Sequence, residues 1–239
     1  MQFSEEGVVL NARAHGENHA VAEIFTAGRG RWAGLVYGGQ GRKMQPLLQP
    51  GNGVRAEWRG RGDDSLGHFS LELTAPRAGE LMQERLSLTA LSAACAVARV
   101  CLPEREPHPA TYAAFEILLG VLNDADLFPA LMARWELGLL SELGFGLTLD
   151  QCAATGGRDN LVFVSPKSAC AVSAEAGEPY RDKLLALPAF LRGERGDVTR
   201  ADAVDGLTLT GYFIETRILQ PADKDTPEPR RRLLSLLAV

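Results

Sequence analysis

A change of hydrophobic period near Pro76 divides the chain into a β part and a helical part. Before it, short segments alternate apolar and polar residues between glycine-containing turns, which is the pattern of half-buried strands. The five segments are residues 7–10, 21–26, 31–37, 53–59 and 68–73. Because five short strands in one small segment suit a small barrel, we expect residues 1–78 to form an OB-type β-barrel.

Beyond the change of period, apolar residues recur at helical spacing. The predicted helices cover residues 81–100, 111–122, 129–143, 180–191, 199–219 and 230–237. Pro109 suits the first turn of the second helix, and Gly144 ends the third. Thr199 and Asp202 resemble a capping box at the start of the fifth. Residues 147–175 lose the helical period and predict a compact loop or β-hairpin insertion.

Cations are concentrated between residues 29 and 61, although the chain carries a formal net charge of −5. This stretch holds seven basic residues against one acid, Glu57, with Trp32, Tyr37 and Trp58 interleaved. The basic residues are Arg29, Arg31, Arg42, Lys43, Arg55, Arg59 and Arg61. A local positive field with aromatic side chains is typical of a nucleic-acid-binding β-domain, and we expect these seven residues to contact the nucleic acid. The same composition also fits a solvated sheet edge, with the aromatic side chains in the core.

Signatures of catalysis are missing from the sequence. It has no G-x-S-x-G elbow, no H-E-x-x-H helix and no G-x-x-x-x-G-K-[ST] phosphate loop. His15, Glu17 and His19 fall between two predicted strands, where a solvated loop is a better interpretation than a metal site. There is neither an apolar run of membrane-spanning length nor a signal peptide, and four cysteines in such a chain suggest a reducing compartment. We therefore expect a cytoplasmic protein that is not an enzyme and does not contact membranes.

Two cysteines resemble halves of a zinc site. Cys152 and Cys170 are each followed three residues later by a hydroxyl residue, Thr155 or Ser173, where a second thiolate would complete a C-x-x-C pair. Neutral hydroxyls are poor zinc ligands, and a structural zinc site needs four nitrogen or sulfur donors. No cofactor is expected, and zinc is not expected at these four degenerate positions. The other two cysteines fall on or beside the first predicted helix and are expected in the core.

Several short strings occur in a specific order and spacing along nearly the whole chain. They are Gly7-Val8-Val9-Leu10, Gly16-Glu17, Ile24-Phe25-Thr26, Gly34-Leu35-Val36-Tyr37-Gly38-Gly39, Arg134-Trp135-Glu136-Leu137-Gly138-Leu139-Leu140, Leu143-Gly144-Phe145 and Gly211-Tyr212-Phe213. Their arrangement resembles the bacterial RecO family of recombination mediator and DNA repair proteins.

The resemblance implies an α+β multidomain architecture. An N-terminal OB-type β-barrel over residues 1–78 would be followed by an all-helical domain over 79–146. A small cysteine-bearing, degenerate zinc-finger-like module would then cover residues 147–176, and a helical segment over 177–239 would complete the C-terminal domain. In some members of the family this module carries zinc on two C-x-x-C pairs, and the present chain departs from them at Thr155 and Ser173.

The resemblance also implies a function. Members bind single- and double-stranded DNA, anneal complementary strands, and help to load RecA together with RecR and the single-strand-binding protein during gap and break repair. The seven basic residues would then neutralise phosphates with little sequence preference. Residues 80–150 hold ten acids against four arginines and are expected to dock proteins. Arg99, Arg105 and Arg134 are candidates for receiving the acidic, hydrophobic tail of the single-strand-binding protein.

Two other functions stay open at this point. The alternative to a nucleoid-associated DNA mediator is an OB-fold RNA-binding or translation-associated module with a helical extension. A third hypothesis is a metal hydrolase that uses His15, Glu17 and His19.

Overall fold

A computed structural model describes residues 1–62 and 65–238, which form two compact units. The first unit comprises Met1–Asn123 and Pro227–Leu233, and the second comprises Asp124–Thr226 and Leu234–Val239. Within the described residues, no helix is both long enough and apolar enough to cross a membrane.

The first unit is built on a closed five-stranded barrel. Its strands are β1 (Gln2–His15), β2 (His19–Thr26), β3 (Gly30–Val36), β4 (Gly53–Arg59) and β5 (His68–Ala75). They follow each other around the barrel in the order β1-β2-β3-β5-β4, and β4 returns to β1. Every pairing is antiparallel except that of β3 with β5, which is parallel and made through Leu35 and His68. The five predicted strands are confirmed.

Aromatic side chains fill the interior of the barrel. Trp32 and Trp58 are buried there beside Phe3, whose ring stacks on Trp58 at 5.7 Å between centroids. Trp58 donates its indole N–H to the carbonyl oxygen of Leu66, which satisfies the polar end of the ring. Trp32 and Trp58, two of the three aromatic residues in the basic stretch, therefore serve to pack the core.

Three helices follow the barrel strands in the first unit. They are α1 (Arg77–Glu80), α2 (Arg85–Cys101) and α3 (Pro109–Leu119). Of these, α2 packs on β1 and α3 packs on β2. Phe25 points outward from β2 and meets Tyr112 and Phe115 of α3 at centroid distances of 5.2 and 5.9 Å. Apart from His19 at its start, every residue of β2 is buried, because the barrel core lies on one side and helices lie on the other.

The segment after α2 runs along β3. Glu104 forms an isolated parallel bridge with Arg31, and the backbone N–H of Arg105 donates to the carbonyl oxygen of Arg31 at 2.9 Å. The Arg105 guanidinium lies over the Trp32 ring, 4.9 Å from its centroid. This segment covers the part of β3 that β5 does not pair with, so the barrel wall includes a piece of chain from beyond residue 100.

A buried carboxylate joins the barrel to α2. Glu23, on the outer side of β2, accepts hydrogen bonds from Arg31 of β3 at 2.6 Å and from Arg99 of α2 at 2.7 Å. Burial acts to raise the pKa of Glu23, but the hydrogen bonds and charges of Arg99 and Arg31 outweigh it and hold the pKa below its ordinary value of 4.5. Both arginines are thereby held by a carboxylate that is 8 % exposed.

The second unit combines helices with a small sheet. In chain order its elements are α4 (Phe128–Glu142), β6 (Thr148–Cys152), β7 (Leu161–Val164), β8 (Cys170–Ser173), α5 (Ala174–Gly177), β9 (Leu185–Ala186) and α6 (Arg200–Phe213). The last helix, α7 (Glu228–Leu237), belongs to the first unit up to Leu233 and to the second unit from Leu234. The four strands follow the order β6-β8-β7-β9. Buried Thr210 of α6 donates to buried Glu136 of α4, where the two helices pack. The predicted capping box at Thr199 and Asp202 is confirmed, with both of its hydrogen bonds present.

Two predictions differ from the structure. Residues 180–191 were expected to be helical, but they hold the end of a 3₁₀ helix (Glu178–Lys183), strand β9 and a second 3₁₀ helix (Ala189–Arg192). Pro188 explains part of this, because a proline disfavours the helical conformation at the residue before it. The compact units also meet at residue 123 rather than at a boundary near 78 or 146, because α2 packs on β1 and α3 packs on β2.

We expect Gly30→Ala to destabilise the first unit strongly. Gly30 has φ +68°, and a Cβ atom there would lie 1.9 Å from the carbonyl oxygen of Glu106. Gly16 is a matched control, since its φ is +61° and a Cβ there would meet no atom within 4 Å. Urea unfolding should show a loss of about 1–2 kcal/mol for Gly16→Ala, from backbone strain alone. The loss for Gly30→Ala should exceed about 3 kcal/mol, and equal losses would contradict the close packing of residues 102–106 on β3.

We expect Glu23→Gln to lower the free energy of unfolding by about 3 kcal/mol at neutral pH, because it removes the carboxylate that pairs with Arg99 and the buried one of the two that Arg31 contacts. The contribution of Glu23 is present at pH values above 4.5 and is lost as the pH falls through the lower pKa of the folded state. Urea unfolding from pH 7 downward should therefore show a weaker acid dependence for Glu23→Gln than for the unchanged protein. Glu104→Gln, at a carboxylate whose side chain is 55 % exposed, is the control and should have a small effect.

Candidate nucleic-acid interface

The seven predicted cations do not converge on one place. Arg29 precedes β3 and Tyr37 follows it, so they flank a strand that is roughly 20 to 25 Å long. Arg31 lies near the Arg29 end. Arg42 and Lys43 lie in the β3–β4 loop, which begins at Tyr37. Arg55 lies within β4, Arg59 ends that strand, and Arg61 follows it.

Arg31 is committed to structure. Its guanidinium contacts the carboxylates of Glu23 and Glu104, and its Nε donates to the carbonyl oxygen of Leu102 at 3.0 Å. Only 13 % of the side chain is exposed. A phosphate would have to displace two carboxylates to reach it, so Arg31 is a poor DNA contact.

Arg29 and Arg55 form exposed ion pairs. Arg29 lies 3.5 Å from Glu5 and over the ring of Phe3, and Arg55 lies 3.1 Å from Glu6. Exposed pairs of this kind contribute little to stability, and a phosphate can compete for the cation. The nearby carboxylates nevertheless weaken the positive field at both positions.

We use the name loop end for the surface where β3 finishes and β5 begins, with the β3–β4 loop, which carries Arg42 and Lys43, and the end of β4, which carries Arg59 and leads to Arg61. The strand register sets Arg59 directly opposite His68, and His68 opposite Leu35 of β3. The Arg59 side chain is 58 % exposed, and its ion pair with Glu57 is loose, with 3.9 Å between the nearest atoms. Among the described residues, exposed Arg42 and Lys43 have no ion-pair partner.

Hydrogen bonds join the β1–β2 turn to the β3–β4 loop at the loop end. The Gln40 side chain donates to the carbonyl oxygens of Gly16 and His19 at 2.9 and 3.1 Å. Its backbone N–H donates to the carbonyl oxygen of Asn18. Further along the same loop, Leu48 is buried against the barrel core. Arg42 and Lys43 thus project from a loop that is fixed on both sides of them.

Tyr37 is the exposed aromatic residue of the basic stretch. Its ring contacts the imidazole rings of His19 and His68, at centroid distances of 5.3 and 5.6 Å. The two histidines were missed as site residues. Their signal was present in the sequence, since each one begins a strand that reaches the same end of the barrel as Tyr37.

The histidine pair around Glu17 does not form a metal site. His19 accepts the backbone N–H of Gly38 at its Nδ1, and His15 is its cross-strand partner at the start of the turn. No group of three potential metal ligands occurs in the part of the chain that the structure describes. The geometry gives no support to the hydrolase hypothesis.

The degenerate zinc positions are only partly assembled. The backbone N–H of Ser173 donates to the sulfur of Cys152 at 3.3 Å, and the Ser173 hydroxyl lies 3.7 Å from that sulfur. Burial acts to raise the pKa of the Cys152 thiol, but hydrogen bonds from the Thr155 hydroxyl and from backbone N–H groups lower it to about 6. Cys170 instead directs its sulfur at the carbonyl oxygen of Ser168, 3.3 Å away. One thiolate surrounded by hydroxyl groups does not fit zinc, which takes four nitrogen or sulfur ligands in structural sites.

A groove in the second unit brings arginines and leucines together. It has a volume of about 720 Å³. Its lining includes Arg134, Arg158 and Arg192 together with Leu137, Leu147, Leu149, Leu191 and Asp150. Of the three arginines expected to receive an acidic tail, only Arg134 lies here, because Arg99 is held by Glu23 and Arg105 lies over Trp32.

Comparisons with known proteins agree over nearly the whole chain. The family model "Recombination protein O N terminal" matches residues 1–77, and "Recombination protein O C terminal" matches residues 82–226. The chain is 52 % identical over 241 residues to the DNA repair protein RecO of Methylobacterium nodulans, covering 99 % of this chain and 98 % of that protein. It is 48 % identical to the DNA repair protein RecO of Phenylobacterium zucineum and 45 % identical to that of Caulobacter vibrioides strain NA1000, each covering 100 % of this chain and 98 % of the relative. The chain therefore belongs to the RecO family of recombination proteins.

Proposed function

We propose that this chain acts in DNA repair and recombination as a mediator that binds DNA strands at the loop end of its barrel and anneals them. The proposal rests on four exposed cations, Arg42, Lys43, Arg59 and Arg61, in the β3–β4 loop and at and beyond the end of β4. The protein works by binding rather than by catalysis, and family membership supports this role over an RNA-binding one. We place it in the cytoplasm, associated with the nucleoid.

The barrel has the features of an OB fold. It has five strands, it is closed, and its parallel contact joins β3 to β5. OB folds bind oligonucleotides on the face of strands 2 and 3 and with the loops that follow strands 1 and 4. Here α3 covers Phe25, and Arg31 and Arg99 cover Glu23, so part of that face is closed to a ligand. The loops that follow strands 1 and 4 remain as the part of the OB surface that DNA can use.

The four cations of the loop end would bind phosphates without reading sequence. Each neutralised phosphate of a single strand releases counterions and contributes about −0.7 to the slope of log K against log salt, so four contacts give about −3. Annealing two strands requires their mutual repulsion to be screened, and clustered arginines provide that screening.

The paired variants Arg42→Ala/Lys43→Ala and Arg59→Ala/Arg61→Ala test the site. Each should weaken binding of a fluorescent single strand and flatten the salt slope by about 1.4, because two phosphate contacts are lost. The control Arg29→Ala/Arg55→Ala removes the same amount of charge from positions that pair with Glu5 and Glu6. We expect that control to leave the slope nearly unchanged.

Fluorescence anisotropy titrations from 50 to 300 mM salt give both the affinity for the single strand and the salt slope. If the slope of log K against log salt flattens only in Arg29→Ala/Arg55→Ala, the DNA site lies around those two residues and not at the loop end. Binding that ignores salt in the unchanged protein would contradict an electrostatic mechanism altogether. Tighter binding to structured RNA than to single-stranded DNA would favour the RNA-binding alternative.

The groove of the second unit suits an acidic peptide with apolar side chains. Arg134 and Arg158 supply positive charge and the leucines supply an apolar floor, whereas Arg192 is already paired with Glu194 at 2.8 Å. The acidic, hydrophobic tail of the single-strand-binding protein has the matching chemistry, and we propose that it docks here. We also include RecR as a partner and RecA as the protein that is finally loaded, on the strength of family membership.

We expect Arg158→Glu to weaken binding of a labelled peptide that ends in the tail sequence of a bacterial single-strand-binding protein. Within the described residues the Arg158 side chain has no ion pair, so the substitution disturbs little else. Introducing a like charge should cost at least tenfold in affinity, or about 1.4 kcal/mol. Arg181→Glu, at an exposed residue that does not line the groove, is the control. Equal peptide affinity in both variants would place the docking site elsewhere.

A further inference from the structure

We propose that Tyr37 is the surface on which an unpaired base stacks, and that it gives the loop end its preference for single-stranded over duplex DNA. This inference rests on the proposed function, which needs only the cations. It adds a residue that recognises bases rather than phosphates.

Tyr37 is far more exposed than the other two aromatic residues of the basic stretch. The residue is 61 % exposed, whereas Trp32 and Trp58 of the same stretch are 4 % and 0 % exposed. Strand alternation explains the difference, because Trp32, Gly34 and Val36 face the interior and Tyr37 continues the outward row. A large ring on the outer surface has a free face to offer to a ligand.

Two imidazole rings hold Tyr37 in position. The His19 ring is nearly perpendicular to it, at 89°, and the His68 ring is inclined by 52°. His19 is itself fixed, because its Nδ1 accepts the backbone N–H of Gly38 at 3.2 Å. A ring that is braced before the ligand arrives loses less conformational entropy on binding.

The backbone around Tyr37 leaves room for a base. Gly38 follows it directly, and a Cβ at Gly38 or at Gly16 in the neighbouring turn would meet no atom within 4 Å. These glycines put no side chain in the space beside the ring. Gly39, by contrast, is tightly packed against Ala20, so the opening is confined to the outer surface.

Cations lie next to this ring in the strand register and along the chain. His68, which contacts Tyr37, is directly opposite Arg59 in the strand register, and Arg42 and Lys43 follow in the loop that Tyr37 begins. A strand whose phosphates are bound by these cations would bring its bases within reach of the ring. Base–aromatic stacking requires an exposed base face, which a single strand offers and a duplex interior does not.

The experiment compares three ligands of equal length: a single-stranded oligonucleotide of thymidines, a duplex, and an abasic strand that keeps the phosphates. With the full chain, Tyr37→Ala should weaken binding of the thymidine strand by roughly 5- to 100-fold. Its affinity for the duplex and for the abasic strand should stay within about twofold, and the salt slope should be unchanged, because no phosphate contact is lost. Tyr37→Phe and Tyr37→Trp keep an aromatic face and should retain affinity for the thymidine strand.

Each other outcome overturns the inference. An equal loss on all three ligands would mean that Tyr37 supports the shape of the site and does not stack. A loss in Tyr37→Phe as large as in Tyr37→Ala would assign the effect to the hydroxyl group. Unchanged affinity in Tyr37→Ala would place base contacts elsewhere. The proposed function would survive that result if the unchanged protein still bound DNA in a salt-dependent way and the arginine variants still lost that binding. If the unchanged protein bound none of the three ligands, both proposals would fall.

Discussion

The ion-pair cluster of Glu23 determines which surfaces of the first unit are available. One carboxylate on β2 holds Arg31 from β3 and Arg99 from α2. The cluster fixes α2 against the barrel and removes Arg31 from the set of cations that can reach a phosphate. It also occupies part of the face that OB folds use for ligands. The proposed binding site is therefore the loop end, where the four cations are exposed and, among the described residues, no buried carboxylate contacts them.

The sequence was informative wherever a local pattern decides the structure. The alternation of apolar and polar residues located all five barrel strands, and the Thr199–Asp202 pair located the start of α6. The same alternation would have assigned Trp32 to the interior and Tyr37 to the surface once one inward position was known. The density of positive charge was visible from the sequence, but its distribution over two ends of the barrel depended on strand register and loop packing.

What sequence reasoning missed depends on contacts between distant residues. Arg31 looked like its basic neighbours, and nothing near it in the chain shows that residues 23 and 104 supply its carboxylates. The arginine groove of the second unit draws on residues from 134 to 192, and only Arg134 was anticipated. The segment over 180–191 was misassigned because its apolar spacing resembled a helix, whereas its middle residues pair with β7 as strand β9.

The chain that follows α2 makes the barrel a non-autonomous part of the protein. Arg105 donates its backbone N–H to β3, and Glu104 bridges Arg31, so one stretch of barrel wall comes from more than 70 residues further along the chain. A fragment ending near residue 77, where the N-terminal family model stops, would lack this wall and would expose Phe25 to water. Such a fragment would carry an unpaired strand edge and an uncovered aromatic face, the two features that most promote aggregation of β-proteins. The barrel and the helices on it are thus one unit of folding, although the proposed DNA-binding residues all lie in the barrel segment.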